Sequence, residues 1–107
     1  MRKTSKIISS KDYLDMMILK LIRRLPDPAN ILHDRLKKSG LEIPLGTLYA
    51  AIHGLVRNGC VEHHPDEMDE GNVRRCCFLS QKGFQRLAYL EKTWTDLGKI
   101  ASDIERR

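Results

Sequence analysis

The stretch Ile43-Pro44-Leu45-Gly46-Thr47-Leu48-Tyr49-Ala50-Ala51-Ile52-His53-Gly54-Leu55-Val56-Arg57, closed by Asn58-Gly59, decides how the rest of the chain is read. Pro44 stands where a first helical residue tolerates the loss of its N–H. Leu45, Leu48, Ile52, Leu55 and Val56 then recur at helical spacing and predict one buried stripe. The other face holds Thr47, Tyr49, Ala50, His53 and Arg57, polar yet mostly small or able to hydrogen-bond. Asn58-Gly59 supplies a left-handed residue that ends the helix. A short helix with one apolar face and one hydrogen-bonding face fits a DNA-reading helix, although the periodicity by itself fits any amphipathic helix.

Working toward the N-terminus, Ser39-Gly40 and residues 41–43 make a tight connection back to a second helix. Asp27 is expected to cap that helix, with Pro28 in its first position and Ala29, Ile31, Leu32 and Leu36 on its apolar side. A first helix is predicted from an N-cap at Ser10 to the residue before Pro26, with Leu14, Met17, Ile18, Leu21, Ile22 and Leu25 inward. Helix, short connection, helix is the order of a helix-turn-helix unit in which the last helix reads.

Working toward the C-terminus, residues 60–64 and 73–79 read as two strands joined by a loop over 65–72. A helix-turn-helix followed by a β-hairpin is a winged helix. Ser80 is expected to cap a last helix that runs to the chain end, with Phe84, Leu87, Ala88, Leu90, Trp94, Leu97, Ile100, Ala101 and Ile104 apolar. That stripe outruns a small core, and an apolar helix projecting from one domain commonly meets a second copy. The expected division is a basic arm over residues 1–10, a winged helix-turn-helix over 11–79 and a dimerisation helix over 80–107. The fold class is mainly α with a β-hairpin wing.

The composition limits the function. A chain of 107 residues supports one domain, and 41% apolar with 31% charged residues describes a folded body with an ionic surface. The net charge of +5 and a pI near 9.3 fit an anionic partner. The charge is uneven: Arg2, Lys3, Lys6 and Lys11 open the chain without an acid. Glu62, Asp66, Glu67, Asp69 and Glu70 share the stretch 62–70 with no Lys or Arg. Three cysteines, two adjacent, make no disulfide framework and fit reduced thiols in the cytoplasm. No run has the length of a membrane span, and no signal-peptide core opens the chain. With no phosphate loop, nucleophile elbow or paired metal-binding His motif, neither an enzyme nor a cofactor is expected.

Three motifs in order resemble the PadR family of bacterial winged-helix transcription regulators: Pro44-Leu45-Gly46-Thr47-Leu48-Tyr49, Leu55-Val56-Arg57-Asn58-Gly59-Cys60-Val61-Glu62, and Arg74-Arg75-Cys76-Cys77-Phe78-Leu79-Ser80-Gln81-Lys82-Gly83. They look like the family's reader helix, helix exit, and wing with cap, and the match runs from about Tyr13 onward. The length resembles the short members, whose single C-terminal helix makes the dimer. Some of those place a Trp so that two copies face each other across the dimer and stack on flat aromatic ligands. Trp94 lies at a matching distance after Gly83. The resemblance therefore implies a homodimeric repressor on a palindromic operator in double-stranded DNA, released by a flat aromatic small molecule. Two stretches depart from the family: Cys76-Cys77 replace paired wing aromatics, and Asp27-Pro28-Ala29-Asn30 replace the usual Gly-Tyr turn.

The candidate sites follow. Thr47, Tyr49 and His53 are candidates for contact in the groove, alongside Pro44, Gly46 and Ala50; Tyr49 has the alternative of packing on the first helix. Arg57, Lys3, Lys6 and, at the wing base, Asn72, Arg74 and Arg75 are candidates for phosphate. Trp94 is the candidate for ligand stacking, and Leu87, Leu90, Trp94, Leu97, Ala101 and Ile104 for the dimer interface. Cys60, His63, His64, Cys76 and Cys77 raise a metal- or thiol-responsive alternative, but no metal-site spacing is present and alternation sends His63 and His64 to opposite faces. The acidic stretch raises a third reading, a winged helix that docks a basic protein partner.

Overall fold

The structure is a computed structural model that describes residues 9–67 and 73–107. Among these residues the order is α1 (Ser10–Arg24), β1 (Asp27–Pro28), α2 (Ala29–Lys38), α3 (Leu45–Arg57), β2 (Val61–Glu67), β3 (Val73–Leu79) and α4 (Gln81–Glu105). The antiparallel sheet has the order β1-β3-β2. This is a winged helix extended by a long C-terminal helix.

The cap of α1 lies one residue earlier than expected, at Ser9. Its hydroxyl accepts from Asp12 N at 3.1 Å, while the Asp12 carboxylate accepts from Ser9 N at 3.2 Å. This reciprocal pair satisfies two N–H groups that the helix leaves open. Leu25 is extended ahead of Pro26, as the residue before a proline prefers. The buried residues of α1 are Asp15, Met16, Ile18, Leu19 and Ile22. Of the predicted stripe only Ile18 and Ile22 are fully inside; Leu14, Met17 and Leu21 are half-buried and Leu25 is 55% exposed. The cause is the central position of α1, which touches α2, α3, α4 and β3 and so buries a broader face than a surface helix does.

Asp27 does not cap α2. Residues 27 and 28 are extended and pair with Cys77 and Cys76 of β3, so Pro28 becomes the N-cap, without a side-chain bond. The Asp27 carboxylate instead takes Arg35 at 3.0 Å, and the same guanidinium donates to the carbonyls of Leu25 and Leu21 at 2.8 and 2.9 Å. The end of α1 is thereby tied to α2. The connection into α3 is held where the His33 ring bonds the Ile43 carbonyl at 2.7 Å.

Pro44 is the N-cap of α3, one residue before its first helical position. Leu48, Ile52 and Leu55 are buried, Val56 is half-buried, and Leu45, expected inside, is 39% exposed at the first turn. Gly59, with φ of 79°, is the left-handed residue after the helix. The wing is longer than expected: β2 continues through Pro65 to Glu67, paired residue for residue with β3 down to Val73. Pro65 fits because β2 is an edge strand, where a missing N–H breaks no second ladder.

Ser80 caps α4 as expected, accepting from Gly83 N at 3.1 Å and donating to the Gly59 carbonyl. The boundary drawn at residue 80 does not divide the core, because Gly83, Leu87, Leu90 and Thr93 of α4 are buried within it. Beyond Thr93 the helix projects. The chain's radius of gyration is 16.1 Å, against about 13 Å for a compact fold of this length.

Ion pairs fasten α4 to α1. Glu91 accepts from Lys20 at 2.8 Å and from Arg23 at 2.9 and 3.2 Å, and Arg86 donates to Asp12 at 2.8 Å. The Arg23 and Lys20 hydrogen bonds hold the Glu91 carboxyl down at about 2. A carboxylate whose folded pKa lies below its unfolded value of about 4.5 contributes stability above that value and loses it as pH falls toward the folded one. Glu91→Gln should therefore lower the melting temperature at neutral pH by a few degrees, since such pairs contribute about 1 kcal/mol or less. In melts at decreasing pH, the gap to wild type should close between about 4.5 and 2.

Candidate nucleic-acid interface

Burying Leu48, Ile52 and Leu55 turns the opposite side of α3 outward. Pro44, Gly46, Thr47, Tyr49, Ala50, His53 and Arg57 are all exposed, and no acidic residue lies within the helix. A Cβ built on Gly46 would meet nothing, so the face is open there. Tyr49 is 46% exposed and borders a notch with Pro28, Ala29 and Asn30 of the helix-two entry; its ring is not enclosed against α1.

The same notch joins α3 to the wing. It has a volume of about 330 Å³ and is lined by Pro28, Ala29, Asn30, Tyr49, Ile52, His53, His63 and Arg75. His63 is half-buried and Arg75 exposed. Burial, first, and then the nearby Arg75 and His53 hold the His63 pKa below its ordinary 6.5. Sequence reasoning placed His63 among metal candidates and missed this grouping. The strand alternation that puts His63 and Arg75 on one side of the hairpin was the available signal.

Lys3, Lys6 and Asn72 lie outside the described residues, as does most of the N-terminal arm, and Arg74 is described only through its pairing with Asp66. Of the acidic stretch, Asp66 and Glu67 fall at the end of β2, while Asp69 and Glu70 lie outside the described residues.

His64 faces away from His63, bonded to Glu62 at 3.2 Å and edge-on to Phe78 with centroids 4.8 Å apart. Although His64 sits directly across from Cys76 in the ladder, no group of three or more His, Cys, Asp or Glu side chains is placed to hold a metal among the described residues. Cys60 and Cys77 are buried, and burial pushes the Cys77 thiol up to about 11, which leaves it a poor thiolate at neutral pH.

Trp94 is 48% exposed, with Tyr13 edge-on to it at 5.3 Å. It separates two shallow hollows, one of about 280 Å³ with Leu97 and Gly98 and one of about 370 Å³ with Met16, Met17, Lys20, Glu91 and Thr95. Two residues expected at the dimer interface are removed from it: Leu87 and Leu90 are 0% and 1% exposed because the protomer's own core covers them. Leu97 is half-buried, and Trp94, Ala101 and Ile104 remain exposed, together with Ile100. Among the described residues, no helix is long and apolar enough to cross a membrane.

No protein-family model matches the chain, and no curated protein does. Solved structures match it closely. A PadR-like transcription factor from Bacteroides fragilis is 28% identical, with a TM-score of 0.78 over 88% of this chain and 91% of that one. A PadR-like transcriptional regulator from Bacillus cereus shares the fold at 18% identity and a TM-score of 0.80, over 91% and 95%. A PadR family regulator from Clostridium difficile does so at 16% and 0.77, over 86% and 97%. The resemblance to the PadR family is therefore present in three dimensions over almost the whole chain.

Proposed function

We propose that this PadR-like winged helix is a DNA-binding transcription regulator with α3 as its reading helix. The observation that carries the reading is the exposed, acid-free face of α3, bordered by Arg75 of the wing, in the fold of PadR-like regulators. Thr47 and Tyr49 would reach base edges, His53 would bond a base edge or a phosphate beside it, Gly46 and Ala50 would let the helix approach closely, and Pro44 would fix its entry. Arg57 and Arg75, with Arg74, Asn72, Lys3 and Lys6, would neutralise phosphates without reading sequence.

The finer assignments belong to the same proposal. Two copies joined through the projecting half of α4, from Trp94 to Ile104, would present two α3 helices to successive major grooves of a palindromic operator in the cytoplasm. A flat aromatic effector stacked on Trp94 would release a repressor from its site, and its binding would register as a change in Trp94 fluorescence. The exposed indole with hollows on both sides supports that reading.

The test is gel-shift binding to the DNA immediately upstream of the protein's own gene. Thr47→Ala should weaken specific binding about tenfold or more, a base contact being worth about 1–3 kcal/mol, while leaving adhesion to unrelated duplex unchanged, and His53→Ala should weaken specific binding as well. Equal affinity of both variants and wild type for the upstream DNA would refute α3 as the reader.

A further inference from the structure

The notch between α3 and the wing brings together nitrogen-bearing side chains from three elements. In the ladder His63 pairs with Cys77 and Pro65 with Arg75, so His63 and Arg75 stand on one face of the hairpin, two rungs apart. His53 meets them from α3, Asn30 stands at the rim on the first turn of α2, and Ile52 with Pro28 contributes apolar wall. Among the residues whose side chains are described, which leaves out Asp66 and Glu67, no carboxylate is bonded to His53, His63 or Arg75. The nearest acid on the adjoining β1, Asp27, is held by Arg35 at 3.0 Å, and Glu62 lies on the opposite face of β2 with His64. Three nitrogen-bearing side chains therefore converge on an open hollow, and no residue that lines it carries a carboxylate.

We propose that this notch is an anion seat that takes one DNA backbone phosphate, gripped by Arg75 and the imidazoles of His63 and His53. The proposal rests on the DNA-reading function inferred above and assigns it a specific contact. Arg75 supplies a planar fork suited to phosphate oxygens, and two imidazoles add donors at fixed positions on a helix and a strand. The neighbouring wall of the seat is the outer face of α3, so a phosphate at the edge of the groove lies within reach when Tyr49 and Thr47 meet the bases. The seat would also let a wing whose tip sequence is acidic hold DNA by its base.

A phosphate in the seat has a proton signature. The groups that face His63 are Tyr49 and His53 from α3, Arg75 from β3 and, directly across in the ladder, the Cys77 thiol that burial keeps protonated, with uncharged Asn30 from α2. In the free protein burial, Arg75 and His53 favour the neutral ring. A phosphate favours the imidazolium, so binding takes up a proton at His63. By linkage, affinity rises as pH falls through the interval between the depressed free value and the raised bound one.

The test is anisotropy binding of the full chain to a duplex that the wild-type protein selects from a random pool, at fixed salt and decreasing pH. Wild type should gain about tenfold in affinity from about pH 8 to about pH 6, His63→Gln should reduce that gain, and His63→Gln combined with His53→Gln should abolish it. Arg75→Gln should bind about tenfold more weakly throughout and with a salt slope shallower by about one. Replacing single phosphates of the duplex by neutral methylphosphonate should reveal one position in each half-site at which Arg75→Gln no longer costs affinity. Persistence of the full pH gain in the variant lacking both His53 and His63, or an Arg75→Gln penalty that no methylphosphonate removes, would overturn the seat. If Thr47→Ala still weakened binding in that case, the reading helix would stand without it. Competition by inorganic phosphate with no effect of methylphosphonate would assign the seat to a free anion and overturn the DNA assignment. Failure of wild type to discriminate the selected duplex from a scrambled one would overturn the DNA-reading function and the seat together.

Discussion

Gly83→Ala is expected to lower the melting temperature by more than about 10 °C and to leave much of the chain unfolded at physiological temperature. Gly83 is the third residue of α4 and is buried; a Cβ there would overlap the Cys60 carbonyl oxygen and carbon and press on Leu79 Cδ2 at 3.4 Å. Neither side can retreat easily. The Cys60 carbonyl accepts from Ser80 N at 3.1 Å, Cys60 N donates to the Leu55 carbonyl at 2.9 Å, and the Ser80 hydroxyl is bonded to the Gly59 carbonyl. The end of α3, the start of β2 and the cap of α4 are locked together at this point. Relieving the overlap means moving backbone, which costs about 3 kcal/mol or more in a domain whose whole stability is about 5–15 kcal/mol. Gly54→Ala is the control, because its Cβ would meet nothing and alanine favours helix; it should hold the melting temperature or raise it by a few degrees. Thermal melts followed by circular dichroism separate the two variants, and a wild-type melting temperature for Gly83→Ala would contradict the locked junction.

Ile100→Asp combined with Ile104→Asp is expected to halve the solution mass and to weaken operator binding at least about a hundredfold, while the protomer stays folded. Ile100 and Ile104 lie one turn apart, 46% and 68% exposed, on the half of α4 that passes beyond the protomer's core. The last residue of α4 that the core buries is Thr93, so charges at 100 and 104 disturb no intramolecular packing. In the proposed dimer they would be forced into an apolar contact without partners. Uncoupling the protomers removes the effective concentration that joins the two half-sites, typically worth a factor of about 10² to 10⁴. Sedimentation equilibrium reads the mass, and circular dichroism verifies the retained helix. A variant that keeps the wild-type mass and the wild-type affinity contradicts dimerisation through α4.

Elements that local chemistry specifies were legible in the sequence. Ser80 with Gly83 marks the start of α4, Asn58-Gly59 the end of α3, and the outward residues of α3 follow from the burial of Leu48, Ile52 and Leu55. Features that depend on what lies opposite were not. Asp27 and Pro28 have the chemistry of a helix start, but β3 recruits them as a short strand. Met16 and Leu19 complete a face of α1 that only its central position makes internal, and Leu87 and Leu90 belong to the protomer because that face receives them. Pro65 reads as a loop residue and is tolerated in β2 because β2 lies at the sheet's edge. Strand alternation places His63 and Arg75 on one side of the hairpin, but the notch also takes His53 from a helix, and no linear spacing brings that residue to them.

The central claim is that α3 reads bases, and methylation interference on the bound upstream DNA tests it most directly. Methyl groups on guanine N7 project into the major groove, where a reading helix must approach the base edges. The account predicts two clusters of interfering guanines, about 10 base pairs apart and related by the operator's dyad, each weakened or lost in Thr47→Ala. Interference confined to a single cluster, or absent while phosphate modification still blocks binding, would contradict a dimeric major-groove reader.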